Sequence, residues 1–179
     1  GKELQDHLIT FVLYKLKEPL HVDHRNLIDV NMFVKNPLKD DQGSVGRYYL
    51  QQYDIVFPAD IPSFNVNANT LGAESILLCP DSKGFVKAKS KDFKVDPIIN
   101  FNFLIEPRDV QIITEGIRRN RKIFEGMKDY VSHEIAPGID KQTDEEIAEY
   151  IRNVAFPIYH PSGTCKMTST FDPKKSVVD

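Results

Sequence analysis

The sequence predicts an α+β fold with a mostly antiparallel β-sheet backed by helices. Three observations carry this. Strand-like runs fill the chain as far as Leu104, and turn residues separate neighbouring runs. The apolar period then switches to that of a helix from Pro107 onward. Strands first and helices later, with hairpin chemistry between strands, is the α+β order rather than the alternation of a parallel sheet.

The first strand is expected over Leu8–Leu16, an apolar run rich in β-branched and aromatic residues that Lys17-Glu18-Pro19 ends. Residues 27–34 fit a helix or an irregular segment equally. A second strand is expected over residues 48–57, and the Pro58, Pro62 and Asn-rich 65–69 stretch reads as loop. Residues 74–79 and 85–89 flank Pro80-Asp81-Ser82-Lys83-Gly84, which predicts a hairpin. Residues 98–104 predict another strand, with Asn100 and Asn102 on one face and Ile99, Phe101 and Phe103 on the other. Val110, Ile113, Ile117, Phe124 and Met127 form one helical stripe, with Pro107 in the first turn where its missing N–H costs nothing. Arg118, Arg119, Arg121 and Lys122 are expected on the solvated face of that helix rather than on phosphate. Thr143 and Glu146 form a capping box for a second helix, buried through Ile147, Ile151 and Val154 and stopped by Phe156-Pro157.

Composition narrows the function. A chain of 179 residues with 41% hydrophobic and 27% charged residues has the balance of a globular domain with a sizeable core. No apolar run approaches the ~20 residues of a spanning helix, so no membrane span is expected. The formal net charge of −3 gives no reason to expect nucleic acid as a partner. Cys79 and Cys165 define no disulfide framework, and Cys165, with nothing near it to activate a thiol, reads as a buried structural cysteine. His21 and His24, with Asp23 between them, lack a second ligand cluster, so no metal site is expected. There is no G-x-G-x-x-G, and Gly43-Ser44-Val45-Gly46 is too short to be one. The chain opens without an initiating Met and lacks any Asn-x-Ser/Thr acceptor, and it is expected to be part of a longer polypeptide.

The most informative stretch is His160-Pro161-Ser162-Gly163-Thr164-Cys165-Lys166-Met167, which follows Phe156-Pro157-Ile158-Tyr159. One imidazole at the mouth of a Gly-containing turn is placed for proton transfer, although a lone His is more often an ordinary hydrogen-bonded residue. The stretch resembles the His-Pro-x-Gly-Thr-Cys-Lys-Met-Gly segment of the glucose–methanol–choline (GMC) family of flavin-dependent alcohol oxidoreductases. Asp172-Pro173 and Ser176-Val177-Val178-Asp179 are similar to the family's following "DP…AVVD". Residues 77–90, from Leu77 through Pro80, Ser82 and Gly84 to Ser90, resemble "LLxPxSxGxVxLxS". Asp96-Pro97-Ile98-Ile99-Asn100-Phe101-Asn102-Phe103-Leu104 with Pro107-Arg108-Asp109 resembles "PxIxxNYLxxPxD", and Gly1 to His7 the end of "GVGxNLQDH". In phrasing, the chain looks most like arthropod glucose dehydrogenase-like and salicyl alcohol oxidase-like members. Glu3 stands where the family has Asn, and Thr168 where Gly follows Met167.

The resemblance implies a substrate-binding domain over residues 8–155, with the end of a flavin-domain segment at 1–7 and the catalytic-His segment returning to the flavin domain at 156–179. The sheet would have about six strands by that analogy. It further implies FAD as cofactor, a small-molecule alcohol as substrate, and a separate electron acceptor whose identity the residues leave open. Hydride passes to the flavin, while a protein base takes the hydroxyl proton. The residue matching the family's base is His160, whose ordinary pKa near ~6.5 suits that role. Tyr159 would wall the substrate pocket or simply pack. Pro161, Gly163 and Thr164 would support the turn, with Pro161 holding His160 extended. Asp6 and His7 match a motif beside the flavin domain and would touch the cofactor or support the fold. The second catalytic residue and the phosphate cradle would lie outside these residues, leaving the fragment alone inactive. The family also contains hydroxynitrile lyases, and a paralogue that has lost turnover keeps the same scaffold. An extracellular location is favoured by the resemblance alone. The redox assignment requires the His160 ring to stand at a sheet-bordered cavity rather than free in solvent away from it.

Overall fold

The computed structural model describes residues 1–19, 30–35, 37–38, 48–56 and 69–167, with the side chains of 53–56 left out. Its strands in chain order are β1 (Lys2–Leu4), β2 (Leu8–Leu16), β3 (Asn31–Val34), β4 (Leu50–Val56), β5 (Thr70–Leu77), β6 (Gly84–Lys87), β7 (Ile98–Asn100), β8 (Val131–Ala136) and β9 (Phe156–Pro157). Helix α1 (Pro107–Glu125) precedes β8, and α2 (Asp144–Val154) precedes β9. The α+β class and the antiparallel pairing agree with the sequence. A six-stranded sheet has the order β3-β4-β5-β2-β8, with β9 also pairing β2, and a three-stranded sheet has the order β1-β6-β7. Every named pairing is antiparallel.

β2 and β5 are buried nearly throughout, which is why their sequences run apolar instead of alternating. On one face Leu8, Val12 and Leu16 of β2 join Leu71, Ala73 and Leu77 of β5 and Val110, Ile113, Ile117 and Phe124 of α1 in a single core. Each large side chain buried there contributes about 1.5–3 kcal/mol. Gly116 lets α1 approach, because a Cβ at that position would come within 2.7 Å of Ser75 Oγ and 3.1 Å of Leu50 Cδ2. Beside it a polar set is buried between helix and sheet. The Gln52 amide nitrogen donates to Asn120 Oδ1 at 2.7 Å and to the Gly116 carbonyl at 2.9 Å. Asn120 Nδ2 in turn donates to Ser75 Oγ at 3.1 Å and the Ala73 carbonyl at 3.2 Å.

Both helices lie where their periods place them. The capping box of α2 is complete, with Thr143 accepting from the Glu146 amide and Glu146 accepting from the Thr143 amide at 2.9 Å. Ile147 and Ile151 are fully buried and Val154 is half-buried. Met127 lies past the end of α1 but still packs on the core.

Four expectations are corrected. Residues 31–34 of the segment that fits a helix or an irregular stretch form β3, whereas residues 27–29, the His21, Asp23 and His24 group, Gly43–Gly46, the expected strand end at 57, the stretch 58–68, Thr168 and the Asp172–Asp179 motif lie outside the described residues. The 74–79/85–89 hairpin does not form, because β5 already has β2 on one edge and β4 on the other, and β6 pairs instead with β1 and β7. The turn residues are real, yet they make a corner between sheets. Asp109 at the start of α1 accepts from the Asp81 amide at 2.8 Å and the Ser82 amide at 2.9 Å, pulling the chain out of the large sheet. Strand β7 is shorter than predicted, because Asn102 and Leu104 adopt positive φ of 52° and 58° and end the extended run.

Arg121, expected on the solvated face, is instead a core-edge residue. Its guanidinium forks onto Glu134 of β8, with Nη2 at 2.8 Å from Oε1 and Nε at 3.0 Å from Oε2. Tyr14 Oη and the Gly138 amide donate to the same carboxylate, each at 3.0 Å. The two charged side chains are only 13% and 7% exposed, so removing one leaves the other buried and unpaired. Glu134→Ala is expected to lower the opening free energy of β8 amides by about 3–5 kcal/mol in native-state hydrogen exchange on the full-length protein. The double variant Arg121→Met/Glu134→Leu is expected to lose less, since no orphan charge remains.

Candidate active site

The site grows from one edge of β2. β9 pairs there at Leu8↔Pro157 and Ile9↔Phe156, and the chain after β9 keeps running beside residues 5–7. The Ile158 amide donates to the His7 carbonyl at 3.1 Å. Gln5 and Ser162 then exchange backbone bonds of 3.0 and 2.9 Å. Two segments more than 150 positions apart are thus zipped together along the rim of the fold, and Phe11 stacks on Phe156 behind them with centroids 5.7 Å apart.

Asp6 is the hinge of this zip. It is buried, and its Oδ1 accepts from the His7 amide at 2.7 Å and from the His160 amide at 2.9 Å. A carboxylate taking two backbone N–H groups forms charge-assisted bonds, stronger than neutral ones. The two imidazoles whose backbones it holds meet edge to face, with centroids 5.5 Å apart at 79° and Nδ1 atoms 3.4 Å apart. Burial first, and then the neighbouring His160, hold the pKa of His7 below its ordinary value, against opposing effects of Asp6 and a hydrogen bond to the Leu78 backbone.

Tyr159 sits in the left-handed region with φ of 65° and is 83% exposed. A bulky residue at positive φ is strained, and such strain persists only where surrounding contacts over-determine it. Here the bonds at Ile158 and His160 fix both neighbours, so Tyr159 is turned outward. Pro161 and His160 are exposed as well. Gly163 has φ of 94°, and a Cβ there would lie 2.0 Å from the Glu3 carbonyl oxygen, so both conformation and contact demand glycine. Thr164 is half-buried in the turn that the Lys166 amide closes on the Gly163 carbonyl at 3.1 Å. Cys165, expected buried, is exposed, because this turn lies on the outer rim rather than in the core.

The structure therefore brings Asp6, His7, Tyr159, His160 and Gly163 into one patch. Sequence reasoning singled out each of them but missed that Asp6 holds His160, and no local signal joins positions 154 apart. The His160 ring lines neither described cavity. One, about 660 Å³, lies between α1 and α2, and the other, about 260 Å³, lies among β3, β5 and α1. The imidazole is open to solvent but fixed to the end of the sheet.

The GMC oxidoreductase family profile matches residues 80–179. The chain is 43% identical over 197 residues to an oxygen-dependent choline dehydrogenase of Cronobacter sakazakii, covering 94% of this chain and 34% of that protein. It is 26% identical over 182 residues to choline oxidase of Arthrobacter globiformis, covering 96% of this chain and 32% of that protein. The chain thus spans about one third of the length of these relatives. Among solved structures, pyridoxine 4-oxidase of Mesorbium loti superposes with a TM-score of 0.78 at 22% identity, over 100% of this chain and 35% of that one. A formate oxidase variant of Aspergillus oryzae gives 0.72 at 19% identity, over 93% and 37%. These two likenesses establish the fold. The profile match covers more than half of the residues, and on that ground the chain belongs to the GMC oxidoreductase family.

Proposed function

We propose that this chain is the substrate-binding part of an FAD-dependent oxidoreductase that oxidises an alcohol to a carbonyl, with His160 as the base. The observation that carries the proposal is the clamped imidazole. Asp6 holds the His160 backbone at 2.9 Å, the bonds at Ile158 and Ser162 fix the chain on either side, and the ring remains exposed. A base must be held still and open to substrate at once, and this arrangement meets both needs. Choline oxidase and oxygen-dependent choline dehydrogenase among the relatives point to a small alcohol as substrate.

The rim fits the ring end of a flavin and not its phosphates. It offers two imidazoles and an outward aromatic ring, while the sequence contains no G-x-G-x-x-G to cradle a pyrophosphate. When bound, FAD supplies the acceptor for the hydride that leaves the alcohol carbon. The remaining work falls to this chain. His160 takes the hydroxyl proton as the C–O bond gains double-bond character, Asp6 keeps its backbone in place, and Tyr159 forms a wall of the substrate space. Residues 1–7 and 156–179 form the part that meets the flavin-holding region, and residues 8–155 the substrate domain. The open face at His160 is then the face that region covers, closing a cavity over the ring. An electron acceptor must reoxidise the flavin. Docking that region also excludes water and strengthens the electrostatics around the base.

General-base assistance contributes ~10²–10⁴-fold, so His160→Ala in the full-length protein is expected to slow flavin reduction by an alcohol on that scale. Stopped-flow absorbance reads it, and reduction at the parental rate refutes the base. Cyanide release from a cyanohydrin without flavin reduction by alcohols would replace the redox reading with lyase chemistry. Asp6→Ala strips two backbone amides of their acceptor, a loss of roughly 1–3 kcal/mol for each group left buried and unpaired. Hydrogen exchange at His7 and His160 is expected to accelerate together in that variant. Unchanged exchange at both would show that the carboxylate does not hold the rim.

A further inference from the structure

His7 stands beside the proposed base, and the reaction as written gives it no task. Its Nδ1 faces His160 Nδ1 at 3.4 Å, and the edge-to-face rings prevent either from simply stacking away. The distance is at the long end of hydrogen bonding, as such contacts often are before substrate binds. Two facing ring nitrogens form a bond only if one carries the proton and the other is bare. The base role decides which. His160 turns its Nδ1 to His7, so a base on this ring acts through Nε2. Nε2 is bare only when Nδ1 carries the proton, so the donor in the pair is His160 and His7 accepts at Nδ1.

From these contacts the geometry points to His7 as the positioning residue that sets the tautomer of His160, accepting its Nδ1 proton and leaving Nε2 bare as the base. This inference rests on the reading of His160 as base and assigns that role to one nitrogen. It uses a general rule of imidazole chemistry: the hydrogen bond at one ring nitrogen decides what the other can do. It also gives Asp6 a second consequence. By fixing both backbones through one oxygen, Asp6 fixes the distance between the rings.

The charged surroundings are compatible with a neutral acceptor. Burial and the neighbouring His160 lower the pKa of His7, and Asp6 is the anion that opposes them. On the neighbouring strip Lys166 pairs with Glu3 at 3.6 Å, and Lys83 donates to Gln5 and to the Pro80 carbonyl while Asp81 and Asp109 offset its charge. Acidification protonates His7, removes the acceptor and places a like charge beside the base.

The test is the ring-nitrogen NMR spectrum of the histidine-labelled full-length protein at neutral pH. His160 is expected to carry its proton on Nδ1. His7→Leu is expected to abolish that preference and to slow flavin reduction by alcohol roughly 10–100-fold, the usual range for an orienting outer partner. His7→Asn, whose amide oxygen reaches the position of Nδ1, is expected to restore both. A parental His160 protonated on Nε2, or a tautomer unmoved by His7→Leu, overturns the inference. If the tautomer responds as stated while His160→Ala retains the parental rate, the base role is what fails and the His7 contact stands.

Discussion

One edge of β2 is shared by two segments that are distant in sequence. β8 pairs with Leu13–Leu16 and β9 with Leu8 and Ile9, so the two occupy the same edge end to end. Between them Tyr150 of α2 donates to the Phe11 carbonyl at 2.9 Å. Unpaired backbone groups at a buried edge are costly, and both strands and the tyrosine contribute bonds to this edge. The other edge of β2 is taken along its length by β5. The strand is therefore immobilised from both sides, and the residues just before it inherit that order.

Those preceding residues are Asp6 and His7, which explains why a rim without its own regular structure can hold an imidazole in place. The clamp is made of backbone bonds and one carboxylate, none of which depends on the identity of a surface side chain. Tyr159 then absorbs the conformational strain. Its left-handed backbone sits between two hydrogen-bonded neighbours, so the turn outward is forced by its surroundings and not by its own preference. The core cluster between sheet and helices meets the rim at Leu8, which packs in the core and pairs with Pro157.

What could be read in the sequence was whatever is decided locally. The stripe of α1 and the Thr143–Glu146 box recur within one or two turns, so periodicity and capping located both helices. The His160 motif is likewise contiguous, and its likeness to a family segment is the source of the chemistry proposed for it. The hairpin failed because turn residues specify a reversal, not which edge receives the strand, and β5 had no edge left. β8 went unread because His133 and Glu134 break its apolar character, and Glu134 is buried only because Arg121 answers it from another element. The bond from Asp6 to His160 has no local trace at all. It exists because β9 lands on β2, a tertiary event between positions 154 apart.

The same logic explains how this part of the molecule can present the proposed base without enclosing it. A residue buried in this chain's own core would be fixed but unreachable, and one on a free loop would be reachable but loose. Placing His160 three residues beyond β9, with its own amide held by Asp6, gives a fixed backbone with an exposed ring. The orientation of the two nitrogens is then settled by His7, itself one step before the partner strand. Both imidazoles therefore answer to a single register, Leu8↔Pro157 and Ile9↔Phe156. A slip of one residue would turn the side chains of β9 to the opposite face and carry the His160 amide away from Asp6. The chemistry of the rim is in this sense a property of strand pairing.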